Sequence, residues 1–255
     1  MKRIPSLILV LILLSACASH APRPASAQLT VFAAASLTES FGEIVTAFEA
    51  SHPGVNVTLN FAGSNTLRAQ IDQGANADVF ASANIKEMDA LVSSGLVTEG
   101  APQTFLTNQL VVITPANNPA GLSAFDELSR PGLKLVLAAE DVPVGRYARQ
   151  MLDKVGADFK ARVLANVVSN EADVKQVVAK VQLGEADAGI VYASDAVAAP
   201  ELLVIEIPSE WNVLAKYPIA ALKNAPQPKL ADEFVAFVLS PDGQAILKKW
   251  GFSPA

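Results

Sequence analysis

LTVFAAASLTESFGEIVTAFE, residues 29 to 49, is the stretch from which the rest of the chain can be read. Leu29 to Ala33 is a short apolar β run. Three small residues, Ala33, Ala34 and Ala35, lead from it to Ser36, after which Phe41, Ile44, Val45 and Phe48 recur at helical spacing on one face. Ser36 stands where a helix N-cap belongs, with Glu39 three residues on, so S-x-x-E reads as a capping box. The first-turn N–H groups of such a helix have no intrahelical acceptor and form an anion site. An ordinary strand-to-helix turn would look the same, so this stretch alone leaves both readings open.

The device recurs. A second strand, Val55 to Phe61, runs into Ala62-Gly63-Ser64 and a helix with Leu67 and Ile71 inward. A third, Asp78 to Ser82, leads to a helix from Ile85 to Ser93. Alternating β and α at this spacing predicts a mostly parallel, three-layer α/β sheet. Ligands in such sheets bind beyond the carboxyl ends of the strands, the edge that Ser36 and Ser64 occupy. The β run Phe105 to Thr114 is followed by a composition break at Pro115, Asn117, Asn118 and Pro119, read as the crossing into a second lobe. There the rhythm resumes: a strand Leu133–Ala138, a helix opening around Val142-Pro143-Val144-Gly145 and running to Leu152, and a strand Asn166–Ser169. A helix Asp173–Leu183 and strands Ala188–Tyr192 and Leu202–Ile207 follow. Pro218 to Leu222 returns to the first lobe, and helices Leu230–Leu239 and Gly243–Trp250 close the chain. The expected organisation is two α/β lobes, 29–106 with 216–255 and 107–215, joined by two crossings with a ligand cleft between them.

At 255 residues and 51% hydrophobic, the chain can bury one large core or two smaller ones. Its formal charge of −6 argues against a nucleic-acid surface or a polybasic membrane patch. Any bound anion must therefore be held by local dipoles.

Lys2 and Arg3 precede an apolar run from Ile4 to Leu14, too short to span a bilayer, and Leu14-Ser15-Ala16-Cys17 closes it. This reads as a signal peptide over 1–17. Its ending resembles a lipobox, in which Cys17 would be acylated and become the mature N-terminus. Residues 18–28, small, polar and proline-containing, suit a flexible tether. Cys17 is the only cysteine, so no internal disulfide, Cys-based metal site or thiol nucleophile is expected in the folded body.

A serine hydrolase needs a base beside its nucleophile. The only histidines are His20, in the tether, and His52, beside Pro53 at a helix end. No G-x-S-x-G elbow occurs, no His/Cys group suggests a metal, and no phosphate-binding or dinucleotide fingerprint is present. Glu140 and Asp141 read as solvated turn residues. What remains is a set of strand-to-helix turns carrying donors: the hydroxyls of Ser36 and Ser64, backbone N–H groups near Val144 and Val174, and the phenol of Tyr192 at the end of an apolar strand. Gly145 would let backbone approach closely. The helix of Val174 is expected to be capped near Asn170 or Ala172.

Taken together, TVFAAASLTESF, FAGSNTLRAQI, GANADVFASAN, VPVGRYA, NEADVKQVV, AGIVYASDA and PDGQAILKKWGF resemble the periplasmic molybdate-binding (ModA-type) substrate-binding proteins of ABC transporters. The resemblance runs the length of the mature chain in the same order. It implies a type II periplasmic-binding-protein fold closing on molybdate or tungstate without a counter-cation or cofactor. It also implies delivery of the ligand to a membrane permease; with the leader and lipobox, an exported, lipid-anchored monomer is expected. Carried over by position, it assigns oxyanion binding to Ser36, Ser64, Val144, Val174 and Tyr192. One departure is visible: VPVG has Val144 where the best-known members have alanine. Arg146 either steers anions to the mouth or is a solvated first-turn side chain. Sulfate or another tetrahedral oxyanion is the nearest rival ligand and a secreted serine hydrolase the remote one.

Overall fold

A computed structural model describes residues 27–255, so the leader, Cys17 and most of the tether lie outside the described residues. The opening strand, β1 (Ala27–Ala34), begins two residues before Leu29: Ala27 and Gln28, assigned above to the tether, pair with Val55 and Asn56. β1 lies between β2 (Val55–Ala62) and β3 (Val79–Ala81), parallel to both. Its residues Leu29, Val31, Ala33 and Ala34 are buried, as a strand covered on both faces requires. Helices α1 (Thr38–Ser51), α2 (Ser64–Asp72) and α3 (Ile85–Ser93) provide the βα crossovers. Phe41, Ile44, Val45 and Phe48 form the inward stripe of α1, as their spacing predicts, and Leu67 and Ile71 that of α2.

The β run after Phe105 is two strands, and the chain changes sheet inside it. β4 (Gln103–Asn108) is an edge of the first sheet, whereas β5 (Leu110–Thr114) belongs to the second. The crossing is therefore at Gln109 and not at the Pro115–Pro119 break. A single residue turns the corner because the Asn108 side chain accepts the Gln109 N–H at 2.9 Å. The second sheet contains β6 (Leu135–Ala138), β7 (Val167–Glu171), β8 (Ala188–Tyr192) and β9 (Leu203–Glu206). Its helices are α4 (Pro143–Val155), α5 (Ala157–Ala165), α6 (Val174–Gln182) and the short α7 (Ala193–Ala198). β10 (Ala215–Ala221) returns to the first sheet, and α8 (Pro228–Leu239) and α9 (Pro241–Lys249) complete it.

The sheets repeat one plan. The first runs β2-β1-β3-β10-β4 and the second β7-β6-β8-β5-β9. In each, three parallel strands are followed by an antiparallel one, β10 or β5, that enters from the other half of the chain. This is the two-lobe α/β arrangement of a type II binding-protein fold. The two crossing segments are tied together: Asn212, just before β10, donates to the Leu110 carbonyl at 2.9 Å and accepts the Leu110 N–H at 3.1 Å.

Candidate functional site

The carboxyl ends of the parallel strands in both sheets converge on one small cavity, about 200 Å³ including the space open to solvent. Its enclosed part is only about 10 Å³, roughly what one water-sized sphere needs, so the lobes as they stand close tightly over a space far below drug-sized pockets. All five residues singled out from sequence, Ser36, Ser64, Val144, Val174 and Tyr192, line it. Each is at least nine-tenths buried. Ala34, Ala35, Ala62 and Ala83 fill the intervening wall, and their small side chains keep the backbone close to the space.

Ser36 is not a helix cap. Residues Ala35–Leu37 form a 3-10 turn, α1 starts at Thr38 with Leu37 in the cap position, and no side chain caps it. The Ser36 hydroxyl instead lies 3.0 Å from the Tyr217 hydroxyl, and the Glu39 carboxylate turns away to Lys175 at 2.7 Å. The predicted capping box is thus not formed, because both of its members have tertiary partners. Ser64 is the first residue of α2, and its Oγ accepts the Ala83 N–H at 3.0 Å. That bond fixes the oxygen and leaves the O–H to donate elsewhere.

Three helices begin at the cavity. In α4, Pro143 carries no N–H and the first helical bond is Arg146 N–H to the Val142 carbonyl at 2.9 Å, leaving the Val144 and Gly145 N–H groups ahead of it. Gly145 is required for a reason internal to the lobe: a Cβ there would stand 2.1 Å from the Ala139 carbonyl oxygen, so only glycine lets α4 start this close to the end of β6. In α6 the cap is Asp173, not Asn170 or Ala172, with its carboxylate accepting the Gln176 N–H at 3.1 Å. Val174 is the first residue beyond it. In α2 the first helical bond is Leu67 N–H to the Gly63 carbonyl at 3.0 Å, which leaves the N–H groups of the preceding turn free. Each helix end carries the equivalent of about half a positive charge. No lysine or arginine lines the cavity and one carboxylate, Asp173, does. Its oxygens are engaged by the Gln176 N–H at 3.1 Å and Nε2 at 2.8 Å, and the helix dipoles are the positive field available against it.

Tyr192, at the end of β8, is 1% exposed and its hydroxyl has no hydrogen-bond partner. Burial, with Tyr217 and Tyr147 nearby, pushes its pKa well above the ordinary phenol value, so the group stays a neutral O–H donor. An unpartnered buried hydroxyl costs about 1–3 kcal/mol, which marks it as waiting for an acceptor.

The two lobes meet around the mouth. A Cβ on Gly63 would lie 2.7 Å from the carbonyl oxygen of Ala172 on the other lobe. Asn65 donates to the Asp141 carboxylate at 2.9 Å, so Asp141 is engaged across the cleft and is not merely solvated. Arg146 does not line the cavity; it is half-buried with Nε unpartnered. Tyr217, Gly63 and Lys175 escaped the sequence reading because their partners lie far along the chain. Tyr217 is 181 residues from Ser36. Among the described residues no group of three or more His, Cys, Asp or Glu could hold a metal ion, and no helix is long and apolar enough to cross a membrane.

Residues 29–253 match the family described as bacterial extracellular solute-binding protein. The molybdate-binding protein ModA of Mycobacterium tuberculosis is 42% identical over 248 residues, 94% of this chain and 92% of its own. ModA of Escherichia coli is 35% identical over 233 residues, 89% of each chain. Among solved structures, the periplasmic molybdate-binding protein of Azotobacter vinelandii superposes with a TM-score of 0.79 at 22% identity, covering 89% of this chain and 99% of that one, a likeness of fold. With the double-sheet plan and a donor-lined cavity between the lobes, these matches place the chain in a family of transport proteins: it belongs to the bacterial extracellular solute-binding proteins, alongside the ModA proteins.

Proposed function

We propose that this protein binds molybdate or tungstate in the interlobe cavity and delivers it to an ABC permease in the membrane. The observation that carries the oxyanion reading is the donor set: two serine hydroxyls, helix N-terminal N–H groups and a buried phenol with no partner, with no lysine or arginine among the lining residues. The choice of molybdate or tungstate over sulfate, which the same donors suit, rests on the likeness to the ModA proteins. A fully ionised tetrahedral dianion only accepts hydrogen bonds and satisfies every one of these groups. Monohydrogen phosphate carries a proton that suits this lining poorly. The one carboxylate there, Asp173, already accepts from the Gln176 N–H at 3.1 Å and Nε2 at 2.8 Å. An unmatched proton costs about 1–3 kcal/mol. Charge-assisted bonds contribute about 1.5–3 kcal/mol each and helix ends roughly 0.3–2 kcal/mol. Against dehydration and lobe closure, five such donors leave on the order of −8 to −12 kcal/mol, micromolar to nanomolar binding.

A hydrolytic role for Ser36 or Ser64 finds no support. His52 lies just past the far end of the 14-residue α1, about 20 Å from Ser36 at 1.5 Å per residue, and stacks on Phe48. The LSAC sequence at 14–17 supports export and acylation of Cys17, so the binding protein would act lipid-anchored outside the cell membrane.

Calorimetric titration with molybdate, tungstate, sulfate and phosphate tests the proposal. Tight molybdate and tungstate binding, with weak sulfate and no phosphate binding, is expected. Tight sulfate binding without molybdate heat would overturn it in favour of a sulfate carrier of the same fold.

A further inference from the structure

Behind the cavity, outside its lining, three charged side chains join the segments that carry the proposed ligand donors. Glu39 is three residues after Ser36, Lys175 directly follows Val174, and Asp195 is three residues after Tyr192. The Lys175 ammonium donates a hydrogen bond to a Glu39 oxygen at 2.7 Å and stands 3.2 Å from an Asp195 oxygen, which it meets as an ion pair without an aligned hydrogen bond. The other Asp195 oxygen accepts the Tyr192 N–H at 3.3 Å.

The two ion pairs differ in kind. Lys175 and Asp195 lie on α6 and α7, both packed on the second sheet, whereas Glu39 is on α1, packed on the first. The Asp195 pair therefore belongs to one lobe and survives any separation of the two. The Glu39 pair spans the cleft and exists only when the lobes are together. The Asp195 side chain is fully buried, while those of Lys175 and Glu39 retain partial access to solvent. Burial opposes the Lys175 charge, but Asp195 and Glu39 outweigh it and raise its pKa above the ordinary lysine value.

We propose that Lys175 is a closure latch: Asp195 holds its ammonium ready within one lobe, and Glu39 docks on it when the lobes shut over bound anion. This rests on the oxyanion reading of the cavity and adds to it a residue set that touches no ligand. Because Asp195 already restrains Lys175, docking Glu39 orders one side chain instead of two, which cuts the entropy cost that usually erases a partly exposed pair. The latch acts on release more than on capture, since it forms after the anion has entered. Its members also hold the Ser36, Val174 and Tyr192 segments in register from behind.

Glu39→Gln tests this, since it removes only the cross-cleft half and leaves the buried Asp195–Lys175 pair intact. Stopped-flow release of molybdate and thermal melts with and without molybdate are compared for the wild-type chain and the variant. The expected result is a roughly three- to tenfold faster release. The melting temperature should be unchanged without ligand and lowered with it, and 1 M salt should shrink the difference in release. An unchanged release rate, or equal loss of melting temperature with and without ligand, would overturn the latch while leaving the binding site standing. Failure of the wild-type chain to bind molybdate or tungstate is seen before any variant is measured; it would overturn the oxyanion reading and the latch with it.

Discussion

Replacing Tyr192 by phenylalanine removes one oxygen atom from the cavity wall and leaves the ring packed at a 5.7 Å centroid distance against Tyr217. In the closed geometry that oxygen is out of water and without a partner, a state costing about 1–3 kcal/mol. The ligand-free variant should therefore melt no lower than the wild-type protein, and higher if the closed form contributes. In the proposed complex the same oxygen would donate a charge-assisted hydrogen bond to the anion, and its loss should cost about 1.5–3 kcal/mol, or roughly 10- to 150-fold in Kd. Paired calorimetry and thermal melting on both proteins give the two quantities independently. The reasoning fails if affinity for molybdate is unchanged, because then the hydroxyl has no acceptor even in the complex. It fails equally if affinity drops only in step with a lowered melting temperature of the free protein, because then Tyr192 acts by packing.

Two further outcomes follow from the geometry. Gly63→Ala places a methyl group 2.7 Å from the Ala172 carbonyl oxygen across the cleft, at a backbone φ of −58° that alanine tolerates. The methyl also meets the Asn65 Oδ1 of its own lobe at 2.7 Å, a side chain that can swing aside. Closure should be obstructed at a cost of about 1–3 kcal/mol, weakening molybdate binding more than it lowers ligand-free melting, and normal affinity in calorimetry would refute the close approach. Asp195 titrates near 6 in the folded protein, raised by burial against the pull of Lys175, above its ordinary value of 3.8. A carboxyl with a raised folded pKa favours the native state when protonated. Its contribution is therefore full below about pH 4 and is lost as pH rises through 6, a swing on the order of 3 kcal/mol. Melting curves of wild-type and Asp195→Asn protein from pH 4 to 7 should diverge accordingly; parallel curves would contradict the buried, ionisable assignment.

The alternation of strands and helices was legible because it rests on local periodicity: α3 and β8 fall on the residues expected, Ile85–Ser93 and Ala188–Tyr192. Short elements were not. α7 has six residues and continues directly from β8, and α5 follows α4 after Gly156 alone, so neither interrupts the pattern that precedes it. The sheet change at Gln109 was invisible because apolar residues lie on both sides and one side-chain bond turns the corner. The five cavity residues were named through family likeness laid over strand-to-helix turns, and the structure brings all five together. Glu39 shows the limit of local rules. Its spacing from Ser36 fits a capping box, yet its partner is Lys175, 136 residues away. An ion pair from another element outcompeted a bond to the nearest N–H group.

The two crossings leave the first sheet from strands that are neighbours, β4 and β10, paired from Ala215 opposite Asn108 onward. Asn212 then fastens the return segment to Leu110, at the start of the outgoing strand. Two connections bound to each other act as one pin. Bending about that pin leaves the ladder intact, whereas sliding or shearing the lobes would tear it. Movement of one lobe against the other is thereby biased toward one bending angle, and in the proposed transport role that angle would distinguish a loaded carrier from an empty one.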